Sequence, residues 1–188
     1  MTERTRVLYA IVTGASPADT VGELVELAQA DGWDVCVVAS PNGVRFLDVE
    51  ALAAQTGHPV RSVFKEPGTD DLLPPADAII VAPLTTNSLA KWATGIGDTL
   101  PLALLVEAVG AGLPVVAIPH AKQEQMNFPA VRQARERLAE WGVRFVRITE
   151  DTDTGPLPWK SALSALREPL MAAGPATVCN PVGSNGEP

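Results

Sequence analysis

The sequence predicts an α/β protein built on one doubly wound, mostly parallel sheet. Two observations carry that expectation. Short, nearly continuous apolar runs recur along the chain, at 7–13 (VLYAIVT), 34–39 (DVCVVA), 78–82 (AIIVA) and 113–119 (LPVVAIP). Runs of this length read as strands buried on both faces. Between them lie segments whose apolar residues recur at helical spacing, so strand and helix alternate as in parallel βαβ units. With 188 residues, 46% of them hydrophobic, the chain can enclose a sizeable core. Nothing reads as an interdomain linker. One domain is expected over 1–172, and residues 173–188, rich in Gly, Pro, Asn and Ser, read as a flexible tail.

The elements follow in order. The first strand, 7–13, runs into Gly14-Ala15-Ser16-Pro17 and a helix over about 18–31, with Val21, Leu24, Val25 and Ala28 on one face. A strand–turn–helix start of this kind suits a phosphate, held on backbone amides and the helix dipole; a glycine-bearing turn with only a geometric role has the same letters. Gly32 ends the helix. The second strand, 34–39, delivers the turn Ser40-Pro41-Asn42-Gly43, which also reads as an ordinary Asn-Gly turn. A short helix, 49–56, ends at Gly57. Residues 59–65 (PVRSVFK) alternate and read as an edge strand or extended arm, and the Pro-rich 66–75 as a loop.

The central stretch is 77–100. Its apolar strand is ended by Pro83, and Thr85, Thr86, Asn87 and Ser88 then stand in a row before a short helix containing Leu89, Ala90, Trp92 and Ala93. Gly95-Ile96-Gly97 stops that helix, and Asp98 is placed to cap a second one over 100–109. Ligands of open α/β sheets bind at the carboxyl ends of strands. A run of small hydroxyl and amide side chains at that point reads as a small-molecule site. Beyond it come a strand at 113–119, an amphipathic helix at 129–140, a last strand at 144–148, a loop at 149–158 and a final helix over roughly 160–172. In the amphipathic helix Val131, Ala134, Leu138 and Trp141 face the sheet, while Arg132, Arg135 and Arg137 are largely solvated.

Charge and composition narrow the function. The chain carries 22 acidic and 14 basic side chains, a net charge of −8, with a pI near 4.7. Without a basic stretch it is a poor nucleic-acid binder. No run is long enough to cross a membrane. The amino-terminal MTERTRVLYAIV does not read as a secretory signal, so a cytoplasmic protein is expected. Cys36 and Cys179 make no disulfide framework, and His58 and His120 have no ligand-spaced partners, so no metal site is expected.

Pro83-Leu84-Thr85-Thr86-Asn87-Ser88, followed by Gly95-Ile96-Gly97-Asp98-Thr99-Leu100, resembles the P-A-S-A-N-T…G-I-x-D-x-L signature of the flavin-containing cysteine decarboxylases. These include phosphopantothenoylcysteine decarboxylase and the peptide decarboxylases of lantibiotic maturation. The resemblance covers about 7–148. It implies that FMN is the cofactor, held by Gly14, Ala15, Ser16, Ser40, Asn42, Thr85, Thr86, Asn87, Ser88 and His120. It also implies a homo-oligomer, a trimer or a multiple of trimers, with flavin bound between subunits near Asn87. Trp92 is then either an interface anchor or a core tryptophan.

The catalytic set of that family departs here. Its histidine ahead of the P-A-S-A-N-T strand falls at Thr69 by gapless counting, and no histidine stands in 66–75. Its P-x-M-N-x-x-M-W segment is matched only at Pro119, with Lys122 in place of the asparagine. Its flap cysteine has no counterpart in 149–155. A proton-accepting base, a carboxylate-orienting amide and a proton donor are thus all replaced, while the cofactor-binding pieces remain. The resemblance so implies a flavoprotein that kept its cofactor and dropped or changed the reaction, acting on an unknown small molecule or peptide or serving as a flavin-binding partner, with no catalytic residue assigned. Lys122 and His120 either line the open face of the ring or are solvated loop residues. Two alternatives stand beside it: an altered peptide-cysteine decarboxylase, and a nucleotide-binding α/β protein that uses no flavin.

Overall fold

The computed structural model describes residues 4–147 and 157–167. Its centre is a five-stranded sheet in the order β2-β1-β3-β4-β5. The strands are β1 (Val7–Val12), β2 (Asp34–Ala39), β3 (Ala78–Leu84), β4 (Val115–Pro119) and β5 (Arg144–Phe145), and every pairing is parallel. The chain builds outward from β1 to β2, then crosses back to lay β3 on the other side of β1. That reversal is the topological switch point of an open α/β sheet, where a crevice opens at the carboxyl ends.

Side chains alternate across the sheet although the runs are apolar throughout. Val7, Tyr9, Ile11, Ile79 and Val81 face one core, shared with helices α3 (Thr86–Ala93), α4 (Leu100–Gly110) and α6 (Pro129–Glu140). Leu8, Ala10, Val12, Ala78 and Ile80 face the other, shared with α1 (Val21–Ala30), α2 (Val49–Thr56) and α7 (Trp159–Arg167). Burial on both faces is why these strands lack the polar alternation of a half-exposed sheet.

Several expectations are corrected. Pro83 does not end β3. Its carbonyl accepts the Thr13 amide at 3.2 Å, and Leu84 still pairs with Pro119 after a register shift beyond Val81, so a missing N–H is absorbed by an irregularity in the ladder. A 3₁₀ turn, Ser16–Thr20, precedes α1, with Pro17 at its start. Asp98 caps nothing: Thr99 holds the cap position of α4 without a side-chain bond, and Asp98 is ion-paired to Lys91 at 2.5 Å. Trp92 is a core residue, 2% exposed, and its Nε1 donates to the Leu105 carbonyl at 3.0 Å. It is not a surface anchor, because α4 covers it within the same chain.

Trp141 is 50% exposed. It sits at the C-cap of α6, where helical spacing no longer sets direction, and Leu138 and Val143 fill the core instead. Arg137 is exposed, and its Nη1 also donates to the Ala93 carbonyl at 3.3 Å. The segment after Gly57 is an arm rather than a strand, touching the sheet by a single bridge between Val38 and Arg61. β5 is a two-residue strand, extended by the Val146 amide donating to Ala117 at 3.0 Å. Residues 149–156 of the loop expected over 149–158, the end of the last helix beyond Arg167 and the tail lie outside the described residues.

Candidate functional site

Four adjacent strand ends, those of β2, β1, β3 and β4, carry the polar turns read from the sequence. At about 4.8 Å per strand they span about 14 Å. An open cavity of about 770 Å³ lies over them, within the size range of small-molecule sites. Gly14, Ala15, Ser16, Ser40, Asn42, Thr85, Thr86, Asn87, Ser88 and His120 all line it, as do Lys91, Thr99 and Lys122.

The β1 and β2 turns are pressed together. A Cβ on Gly14 would lie 2.8 Å from the Asn42 Cβ, and one on Gly43 would lie 2.7 Å from the Val12 carbonyl oxygen and 3.0 Å from the Ser40 Oγ. Both positions therefore require glycine. Ser40 has a structural task as well, because its Oγ accepts the Gly43 amide at 2.9 Å.

At the end of β3, Thr85 is the N-cap of α3. Its Oγ1 accepts the Ser88 amide at 3.3 Å and donates to the Ser88 Oγ at 3.1 Å. Two of the four side chains in the row are thus engaged in capping. The cap takes the third amide of the helix, and Leu89 donates to the Thr85 carbonyl at 2.9 Å. The first-turn amides of Thr86 and Asn87 remain as open donors at the positive end of the helix dipole.

Thr13 was invisible as a site residue. It is 2% exposed, and its hydroxyl donates to the Pro83 carbonyl at 2.7 Å while accepting the Thr85 amide at 2.9 Å. One side chain ties the β1 turn to the start of α3. The available signal was a hydroxyl at the end of an otherwise apolar strand, since a buried hydroxyl must find partners.

The electrostatics of the cavity oppose those of the whole chain. Its charged lining consists of Lys91 and Lys122, with His120 between the strand end and Lys122, and among the described residues no Asp or Glu lines it. Lys91 is neutralised by Asp98. The groups with displaced pKa lie elsewhere: the Tyr9 phenol and the Cys36 thiol are each pushed up to about 12, chiefly by burial. Neither reaches the cavity, so neither is an activated nucleophile there. Thr69 is exposed in its loop, its hydroxyl donating to Glu66 at 2.7 Å, and does not line the cavity. His58 pairs with Asp34 at 2.7 Å at the opposite end of the sheet. Among the described residues no cluster of His, Cys, Asp or Glu could hold a metal, and no helix is long and apolar enough to cross a membrane.

The family model described as Flavoprotein matches residues 1–168. The chain belongs to the flavoprotein family. Among curated relatives, this flavoprotein is 30% identical over 134 residues to the coenzyme A biosynthesis bifunctional protein CoaBC of Thermococcus kodakarensis. That match takes 66% of this chain and 32% of the relative, so the flavoprotein spans about a third of the length of the curated relatives it matches. Among solved structures, the FMN-dependent cysteine decarboxylase SpaF superposes with a TM-score of 0.72 at 25% identity, covering 87% of this chain and 95% of that one. The FMN binding protein AtHal3 gives a TM-score of 0.69 at 20% identity, covering 87% and 96%. The latter likeness is one of fold.

Proposed function

We propose that this flavoprotein binds FMN across the four strand ends. We further propose that it is a relative of the flavin-dependent cysteine decarboxylases with an altered catalytic set. The observation that carries the reading is the cavity: every residue expected to hold the flavin lines it, and its charged groups are all cationic in a chain of net charge −8. An anionic phosphate finds donors in the Gly14–Ser16 turn, in Ser40 and Asn42, and in the open amides of Thr86 and Asn87. The donor set therefore fits the cofactor. Bound there, FMN would supply two-electron redox chemistry. The chain's own part is to bind and orient the flavin and to present Lys122 and His120 to whatever approaches it.

Thr69 cannot serve as a base near neutral pH, and Lys122 offers a point charge where the resembled enzymes hold an amide. General acid–base groups contribute roughly a hundred- to ten-thousand-fold each. This supports a role in redox or flavin binding on another substrate; the trimeric or multiply trimeric assembly and the cytoplasmic setting are proposed from the family resemblance alone.

The test is the protein's own colour. Purified protein is expected to carry FMN, identified by mass after denaturation. Asn87→Asp should weaken FMN binding about tenfold, because a carboxylate replaces two N–H donors beside an anionic ligand. A colourless protein that ignores added FMN defeats the proposal. With flavin bound, ready decarboxylation of a cysteine-ended peptide would show that a residue other than Thr69 supplies the base.

A further inference from the structure

We infer that Lys122 makes the β4 end of the cavity favour the reduced, anionic state of bound flavin over the oxidised state. The inference rests on the flavin reading of the site and adds to it a preference between redox states.

The distribution of charge around the cavity carries the argument. Of the cationic side chains that line it, Lys91 is held 2.5 Å from Asp98 and is compensated. Lys122 has no carboxylate partner among the described ion pairs. The nearest acidic residue in sequence, Glu124, is exposed on the short helix α5 (Gln123–Met126) and does not line the cavity. The backbone at Lys122 is held in place, because its carbonyl accepts the Gln125 and Met126 amides at 3.0 and 3.1 Å. His120, two residues before it, donates its amide to Leu84 at 3.0 Å, which fixes the β4 turn beside Thr85.

The row of strand ends then separates two kinds of recognition. The glycine-built turns lie over β1 and β2, and the open amides of α3 over β3. These are donors matched to a phosphate. Lys122 lies beyond them, over β4, so its charge is left for the rest of the ligand. The oxidised isoalloxazine ring is neutral. Uptake of two electrons and one proton gives a ring with a full negative charge, and a second proton would remove that charge. An uncompensated ammonium therefore discriminates between the two redox states, whereas a neutral amide does not. Lys122 is exposed. A ring laid against it displaces water and strengthens the attraction. At the effective dielectric of such sites one charge is worth about tenfold in affinity. For a two-electron couple a tenfold preference corresponds to about 30 mV in the midpoint potential.

The test measures binding rather than turnover. Wild type, Lys122→Gln, Lys122→Arg and Lys91→Gln are titrated anaerobically with FMN, once oxidised and once reduced by dithionite, and the bound midpoint potential is measured. The expected result is that the ratio of reduced to oxidised affinity falls about tenfold in Lys122→Gln, holds in Lys122→Arg and falls less in Lys91→Gln, whose charge Asp98 already offsets. An unchanged ratio in Lys122→Gln, with FMN still bound, overturns the inference and leaves the flavin site standing. A wild-type protein that binds FMN in neither state overturns both. A Lys91→Gln effect equal to that of Lys122→Gln also overturns it, since the pairing would then not matter.

Discussion

The two ends of the sheet are built on different chemistry. At the amino ends of the strands the loops are tied down by carboxylates and a cation–π contact. Asp77 accepts the Val7 amide at 2.7 Å and pairs with Arg4, Asp34 pairs with His58, and the Arg6 guanidinium lies 4.3 Å over the Trp33 ring. At the carboxyl ends the ties between the β1, β2 and β3 turns are uncharged: glycines in close approach, a capping threonine, and a buried hydroxyl bridging two strands. The Lys91–Asp98 pair lies beyond them, after the first turn of α3. Carboxylates cluster at the first end and are missing from the lining of the second. The chain's acidity is thus kept away from the cavity, which suits an anionic ligand. Partly exposed charge pairs contribute little to stability, whereas close backbone contacts tolerate almost no added volume. Damage at the carboxyl ends should therefore register in both folding and binding, and damage at the amino ends only weakly in folding.

The sharpest way to break this contrast is to compare two glycines. Gly43→Ala places a Cβ against the immovable Val12 carbonyl and should lower stability by about 3 kcal/mol. Gly57→Ala has open space but a φ of +75° and should cost about 1 kcal/mol. Urea midpoints read the difference, and equal losses would mean the β2 turn can yield. Next comes Thr13→Val, which keeps the shape and removes the bridge. A loss of about 2 kcal/mol is expected, together with weaker FMN binding in a fluorescence titration. Unchanged FMN affinity would separate the hydroxyl bridge from the site. The smallest effect is expected from Asp77→Asn at the other end. The Arg4 pair is largely exposed, so about 0.5 kcal/mol should be lost at low salt and less at high salt. Flavin affinity should not move, and a shift there would show that the two ends communicate.

The sequence made the first four strands legible because each is buried on both faces and so carries an unbroken apolar run. β5 was overextended, since an edge strand that is half exposed has no such signal. The turns at the strand ends were legible as turns, and the structure brings them to one cavity, but glycine and small polar residues there also serve close packing, as Gly14, Gly43 and Ser40 do. The identity of the cofactor came from the resemblance of 83–100 to a known motif and not from spacing. What stayed hidden depends on contacts distant in sequence or on reach. Lys91, in the second turn of α3, pairs with Asp98 seven residues further on, which removed Asp98 from its expected cap. Trp92 was ambiguous until α4 was seen to cover it. Thr13 gave no local pattern because both of its partners lie some seventy residues away.

That separation has a kinetic consequence. The bridge from Thr13 to Pro83 and Thr85 closes only when β1 and β3, distant in sequence, have paired. Pairings of that kind carry a loop-closure cost that slows their formation. The cavity is therefore a property of the assembled sheet, and a chain still acquiring its order presents no site. A ligand that recognises only the finished sheet acts on the return path: it leaves the rate of folding alone and retards unfolding. By mass action it also deepens the native well, by about 2.7 kcal/mol at a hundredfold excess over its Kd. In this molecule the first strand waits for the third, and the ligand waits for both.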